Sequence, residues 1–446
     1  MSWGRRSGVG HKGRACDSGV ILRRHQRSDL LRHRASDRVL TVSAALVRRR
    51  VFYVPGYDPF PPRRYRELYR TEAAAQAAVS GHEILLRPKP AGGSYGWHVT
   101  ARIEGAAVDA DVEVLVWSDI VRASMSPGIG ATYLQLLRTA WLYLASGALV
   151  RLMRLRKGPM IAALYPIAIL LVELLLACVA GWIWVAALGA VFTGGWVWWS
   201  AARLGSALAI VWCVLWLFRR ADHRVYAWYL MHDYAFAAVF GGANPPALEA
   251  RIAAFADAIA TALTEDWDEV LVVGHSSGAH VAVSVLADVI RSGGVPSAGP
   301  ALGFLSLGQV VPMVSFLPGS GRLRADLAFL SESDALAWVD VTAPGDGCAF
   351  ALCDPVSVSG MATAAKRWPL VLSAAFTQTL SPERWKSLRW RFFRLHFQYL
   401  CAFDRPGDYD YFAITAGPQT LLARYGDRVP SKGRIETPLN PYGAVL

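Results

Sequence analysis

The chain has 446 residues, is 54% hydrophobic and carries 46 Lys and Arg against 34 Asp and Glu, a formal net charge of +12. So apolar a composition, with 17 Trp, excludes an intrinsically disordered chain, and six Cys in this length exclude a small disulfide-built domain. The charge is uneven: residues 1–50 hold twelve Arg and one Lys against three Asp, a net of +10, which leaves the remainder close to neutral.

The first fifty residues contain no long apolar run, which excludes a secretory signal. Three readings of them stay open: a disordered arm drawn to anionic lipid, an Arg-rich transit peptide, or an extension ahead of the true start. No fold or stacking aromatics accompany the basic residues, so nucleic acid is not an expected partner. Val51 to Val54 reads as a strand opening into Pro55-Gly56-Tyr57-Asp58-Pro59, which is turn chemistry. Arg63 to Val79 reads as a helix. Ile84 to Leu86, Tyr95 to Ile103 and Val112 to Trp117 read as strands, with a turn at Pro90-Ala91-Gly92-Gly93.

Tyr133 to Lys157 mixes Leu, Trp and Tyr with Arg138, Arg151 and Arg154, which suits either a helix in a lipid headgroup region or a packed soluble helix. From Met160 to Phe218 the only formal charges are Glu173 and Arg203. At about 20 residues per crossing, this block predicts two transmembrane helices, near residues 162–190 and 197–218. Gly194-Gly195 marks the hairpin turn, with Gly181 as a rival breakpoint. Arg151, Arg154, Arg156 and Lys157 precede the block, and Arg219, Arg220 and Arg224 follow it. By the positive-inside bias both ends face the cytoplasm, which predicts an integral membrane protein with the parts of the chain on either side of the block on the cytoplasmic face. A charge at mid-span costs about 2.5–3.5 kcal/mol on insertion scales, so Glu173 is expected to be neutral and hydrogen-bonded within the hairpin, or else a proton or ligand site between helices or a handle for homo-oligomers. Arg203 can snorkel. Tyr226 to Phe240 is aromatic-rich, and its His232-Asp233 pair reads as structural because adjacent residues rarely face one another.

Glu269 to Val273 is a β-branched run of the kind that forms a strand buried on both faces, and Ala279 to Arg291 carries an apolar stripe at helical spacing. Between them stands Gly274-His275-Ser276-Ser277-Gly278. A serine held on so sharp a strand-to-helix turn takes a strained backbone, and Gly274 and Gly278 let the two elements close around it. The pattern is that of a nucleophile elbow with Ser276 as nucleophile. Leu302 to Leu307 should be the next strand. Trp338 to Thr342 follows it and leads into Ala343-Pro344-Gly345-Asp346-Gly347 at the carboxyl edge of the sheet, where sites of open α/β sheets lie. Asp346 is therefore the favoured acid, with Asp340 and Asp354 as alternatives. Of ten histidines only His396 lies beyond His280, so in a serine, acid, histidine order it is the general base. The stretch around it, Arg391 to Leu400, reads as helical, and the Tyr-, Pro- and Gly-rich tail from Asp404 reads as a cap on the core. The cysteines are scattered and no phosphate-binding glycine loop is present, so neither metal nor cofactor is expected.

On VFYVPGY, EVLVVGHSSGAHVAV, WVDVTAPGD and the lone late histidine, the chain resembles the α/β-hydrolase superfamily, among its lipase-like and esterase-like serine hydrolases. The resemblance spans residues 51 to about 125 and 245 to about 400. It implies an α/β fold with a mainly parallel sheet flanked by helices, the triad Ser276, Asp346 and His396, and an oxyanion hole built from the Tyr57 and Ser277 amides. The chain departs from the pattern in lacking a His-Gly-Gly-Gly motif and in its inserted hairpin. The expected organisation is a basic segment at 1–50, the first part of the hydrolase core at 51–127, an interfacial helix and transmembrane hairpin at 128–220, and the second part of the core with its tail at 221–446. The expected activity is hydrolysis of carboxylic esters, of the hydrophobic kind that partition into a bilayer, through an acyl-enzyme. A thioesterase or acyltransferase with the same nucleophile, and an inactive membrane scaffold, are the alternatives.

Overall fold

The computed structural model describes residues 48–89, 94–125, 128–191 and 197–443. The readings of residues 1–47, of the 90–93 turn and of the Gly194-Gly195 turn fall outside these. In chain order the elements are β1 (Arg48–Val54), α1 (Arg63–Ser80), β2 (Glu83–Pro88), β3 (Gly96–Ile103), β4 (Ala106–Val114), α2 (Ser118–Ser124), α3 (Ile129–Ala145), α4 (Ala148–Leu155), α5 (Lys157–Val191), α6 (Val197–Arg220), α7 (Ala227–Val239) and α8 (Pro246–Ala262). Then come β5 (Glu269–His275), α9 (Gly278–Arg291), β6 (Ala301–Leu307), α10 (Gly321–Glu332), β7 (Ala337–Thr342), β8 (Leu370–Ser373) and α11 (Phe392–His396), besides shorter helices in the loops and the tail.

The strands form one eight-stranded mixed sheet in the order β2-β3-β4-β1-β5-β6-β7-β8. From β4 across to β8 every pairing is parallel, and β3 runs against its two neighbours. Parallel strands need cover on both faces, and the two-residue alternation of each strand supplies it. Val51, Tyr53, Leu271, Val273, Leu305, Val339 and Val341 enter one apolar core with α1 and with Tyr411, Phe412 and Tyr425 of the tail. Phe52, Val54, Val270, Val272, Phe304 and Trp338 enter the other, with α8, α9 and α10. The tail thus caps the first core, as its composition suggests.

Two boundaries differ from expectation. The third predicted strand, Val112–Trp117, begins at Ala106 and ends at Val114. Its opening residues, Ala and Asp, carry little strand preference and are held by pairing with β3. Strand β1 starts within the basic segment, because Arg49 is fully buried and its Nε lies 2.7 Å from Glu269 Oε2 on β5.

The expected helix over 133–157 is two helices, α3 and α4, broken where Gly147 takes a left-handed φ of 69°. Helices α5 and α6 are long and apolar enough to cross a membrane, with mean hydropathy 2.4 and 1.8. Only 28% and 6% of their most apolar windows are buried, which sets them apart from the core helices of a soluble protein. Gly181 is not a breakpoint: it lies inside α5, where a Cβ would come 2.9 Å from Val211 Cγ2 and 3.2 Å from the Ala207 carbonyl of α6. Its absent side chain lets the two helices approach. Glu173 is buried, and its partner lies outside the hairpin: Trp228 Nε1 of α7 donates to Oε2 at 3.0 Å.

Candidate active site

Strand β5 runs through His275 and the chain turns into α9 at Gly278, leaving Ser276 at the corner with φ of 57°. A left-handed serine costs on the order of 1–2 kcal/mol, and the surrounding contacts hold it there. The Ser276 N–H donates to the Leu307 carbonyl at 2.9 Å, and the Ser276 carbonyl accepts from Ala279 N–H at 3.1 Å. A Cβ on Gly274 would stand 2.8 Å from Ala279 Cα, and one on Gly278 would stand 2.2 Å from the Val54 carbonyl oxygen. Both glycines are therefore required by close approach. From Glu269 to Ala287 every residue except Ser276 is buried.

Asp346 and His396 meet. His396 Nδ1 lies 2.7 Å from Asp346 Oδ2, and both side chains are buried. The carboxylate is held further by the Tyr399 hydroxyl on Oδ2 at 3.0 Å and by Cys348 N–H on Oδ1 at 2.9 Å. With Nδ1 donating to the carboxylate, Nε2 is the free nitrogen, and among the described residues it is buried with no hydrogen-bond partner, Ser276 Oγ included. The imidazole is set against the elbow from two sides. Its ring centroid is 4.9 Å from that of His275, whose Nε2 contacts the His396 carbonyl at 3.0 Å. A Cβ on Gly308, next to the carbonyl that anchors Ser276, would lie 3.0 Å from His396 Cε1. His396 sits at the end of α11, so the helical reading of its neighbourhood holds.

The alternative acids are occupied elsewhere. Asp340 accepts from Ser306 Oγ at 2.5 Å inside the sheet, where burial pushes it up to about 8. Asp354 caps the short helix Pro355–Val358 and pairs with Lys366 at 2.7 Å.

The loop after β1 lies against the elbow: a Cβ on Gly56 would be 3.1 Å from Ser276 Cβ. Tyr57 and Ser277 are adjacent, but the Tyr57 N–H is engaged, donating to Ser277 Oγ at 2.7 Å. The expected amide pair thus comes with a serine hydroxyl already on one donor, a feature that the elbow motif does not foretell.

Burial lowers His275 to about 3 and His280 to about 4, so both are neutral at pH 7 and neither competes as a base. Asp233 is the residue that sequence reasoning missed. Along α7, Tyr229, Asp233 and Phe236 share one face at i, i+4 and i+7. The Tyr229 hydroxyl donates to the Tyr57 carbonyl, and the Phe236 ring lies 5.5 Å from that of Tyr57. Asp233 therefore faces the site, within electrostatic reach of His396, Tyr57 and Cys348. Burial pushes its carboxyl up to about 7, and the His396 charge partly offsets this. Its neighbour His232 points away to Gln135 Oε1 at 2.9 Å, as a turn of about 100° per residue requires. The i, i+4, i+7 pattern with aromatics was the available signal.

Ligand atoms of Asp346, Cys348 and His396 lie within 4.8 Å of one another, a spacing that could hold a metal ion. Two features disfavour it. His396 Nδ1 is engaged by Asp346, and burial pushes the Cys348 thiol well above its ordinary range, whereas ligation needs the thiolate. The five described cysteines are free thiols. Comparison with protein-family models, with curated proteins and with solved structures finds no match to this chain.

Proposed function

We propose that the chain is a membrane-anchored serine hydrolase of the α/β-hydrolase type that cleaves carboxylic esters, chiefly lipid-like acyl esters, through an acyl-enzyme. The observation that carries the reading is the pairing of His396 Nδ1 with Asp346 while Nε2 stays buried and unpartnered beside the strained Ser276 elbow.

In this reading Ser276 Oγ attacks the ester carbonyl and its proton passes to His396 Nε2. Asp346 holds the tautomer and balances the imidazolium. The tetrahedral oxyanion faces the Tyr57 and Ser277 amides. Collapse breaks the bond to the alkoxy oxygen, which takes the proton from Nε2 and leaves as alcohol. Water, deprotonated by the same nitrogen, then releases the acid and restores Ser276.

Anchoring rests on the exposed apolar surfaces of α5 and α6. Helix α3 adds Leu137, Trp141 and Leu144, exposed at i, i+4 and i+7 and suited to a headgroup region. The basic residues at both ends of the hairpin favour a cytoplasmic catalytic domain. A site beside a bilayer favours substrates that partition into it. Two observations favour a second reading, an inactive scaffold: the Tyr57 donor is occupied by Ser277 Oγ, and no hydrogen bond joins Ser276 Oγ to His396 Nε2.

Labelling of membrane fractions with a fluorophosphonate probe separates the two. Labelling of the wild type that is lost in Ser276→Ala and His396→Ala supports the hydrolase. Folded wild type that does not label, or Ser276→Ala that does, sinks it in favour of the scaffold.

A further inference from the structure

The six residues Arg389 to Arg394, which run into the first turn of the His396 helix, read Arg-Trp-Arg-Phe-Phe-Arg, and all six are exposed. Trp390 keeps 71% of its surface open, Phe392 45% and Phe393 38%. Three large rings in water over so short a stretch mark a contact surface rather than ordinary scatter. Among the described residues none of the three arginines forms an ion pair. They are interspersed among the rings, so positive charge and apolar surface are offered together.

The place of this strip in the fold indicates what it contacts. The Phe393 ring lies 5.9 Å from that of Tyr226, which follows the C-terminal end of α6 at Arg219 and Arg220. The same junction is tied to α5, whose Tyr165 hydroxyl donates to the Val225 carbonyl at 2.9 Å. The strip therefore sits level with the end of the apolar hairpin. If that hairpin spans a bilayer, its ends lie among the headgroups, and Trp390, Phe392 and Phe393 lie there with them. Aromatic rings and arginines are the side chains suited to that depth, and arginines are drawn to an anionic leaflet. Where the strip ends, Leu395 and His396 are buried. A surface held at 389–394 therefore fixes the helix that presents the imidazole.

We propose that Arg389 to Arg394 is a docking surface for the anionic headgroup layer of the membrane crossed by the hairpin, and that docking positions His396 for catalysis. The docking half rests on the membrane reading above, and the positioning half on the serine-hydrolase reading. His396 is the catalytic residue in this scheme, and the strip acts through it.

The test uses the full chain in lipid nanodiscs of phosphatidylcholine alone or mixed with phosphatidylglycerol, each with and without bromine-substituted acyl chains. Trp390 is read as the fluorescence difference between wild type and Trp390→Tyr. The expected result is bromine quenching of Trp390 that is stronger in the anionic discs. It should weaken in the variant Arg389→Gln/Arg391→Gln/Arg394→Gln, where the loss of attraction is about fivefold per arginine. Fluorophosphonate labelling of the wild type should be several-fold faster in anionic than in neutral discs. The triple variant should lose that difference while labelling like the wild type in detergent, which shows that it is folded. Trp390 left unquenched in both compositions overturns the docking surface whether or not the protein labels. Trp390 shielded equally in both, together with cross-linked dimers through the strip, assigns it to a second copy and also overturns it. Quenching without labelling in any medium leaves the docking surface standing and removes the hydrolase reading.

Discussion

At Ser276 a left-handed backbone, a glycine on the facing loop and a buried imidazole converge, so small changes there have large effects. Gly56→Ala would place a methyl 3.1 Å from Ser276 Cβ and 3.3 Å from Ser277 Oγ. Because Gly56 lies on a loop, the expected outcome is a folded protein with strongly slowed labelling, checked by probe kinetics beside a melting curve. Ser277→Ala separates two roles of that residue. Removing an oxyanion donor costs about 10²–10³ in rate, but the alanine variant keeps both amides and only removes the hydroxyl that occupies Tyr57 N–H. Labelling should therefore change by less than about tenfold, and a loss on the scale of a missing donor would show that the hydroxyl itself serves the oxyanion. Asp346→Asn should cost roughly 10²–10⁴ in rate with little change in fold, through loss of the His396 tautomer and of its charge balance.

Asp233 gives a pH signature. Its carboxyl is raised from 3.8 to about 7 in the folded chain, so between these values the folded protein holds a proton that the unfolded chain has released. Its stabilising contribution is full below about pH 4, falls as pH rises toward 7 and is gone above it. Asp233→Asn should flatten that dependence, with the gain in melting temperature over wild type larger at pH 8 than at pH 5. An equal gain at both would refute the raised carboxyl.

Elements carry the next set of effects, through the way α5, α6 and α7 meet. The Glu173 to Trp228 contact joins the hairpin to the helix that faces the site. Glu173→Gln keeps an acceptor for the indole N–H, whereas Glu173→Leu leaves a buried donor unpaired at a cost of about 1–3 kcal/mol. Thermal melts in detergent should therefore place Gln near wild type and Leu well below it. Legibility also varied by element. The strand, elbow and helix from Glu269 to Arg291 were readable because a β-branched run and a helical stripe flank two glycines, and local sequence settles all three. The start of β4 was not, because Ala and Asp are held there by pairing with β3 rather than by preference. Gly181 stood as a rival breakpoint because a glycine that serves helix approach and one that breaks a helix look alike until the partner helix is in place. Asp233 was set aside because its importance depends on which face of α7 meets a loop far away in sequence.

For the whole molecule, β1 and β4 precede the hairpin, β5 to β8 follow it, and β1 pairs with β5 along its length. Strands in one sheet share one side of any membrane, so the apolar insertion crosses an even number of times or not at all. This argument from pairing is independent of the basic flanks. Resistance of the full chain to alkaline carbonate extraction, together with its loss on deleting the hairpin, is the expected result. Release of the intact chain by carbonate would exclude membrane integration.

The same pairing bears on biogenesis. A ribosome delivers β1 and its loop well before the elbow, and β5 emerges only after both apolar helices have been made. A nascent chain that inserted one helix and stranded the other would leave β1 and β5 in different compartments, unable to zip together. Closure of the sheet would then report correct insertion: an aberrant topology yields a chain with open sheet edges and an unassembled site.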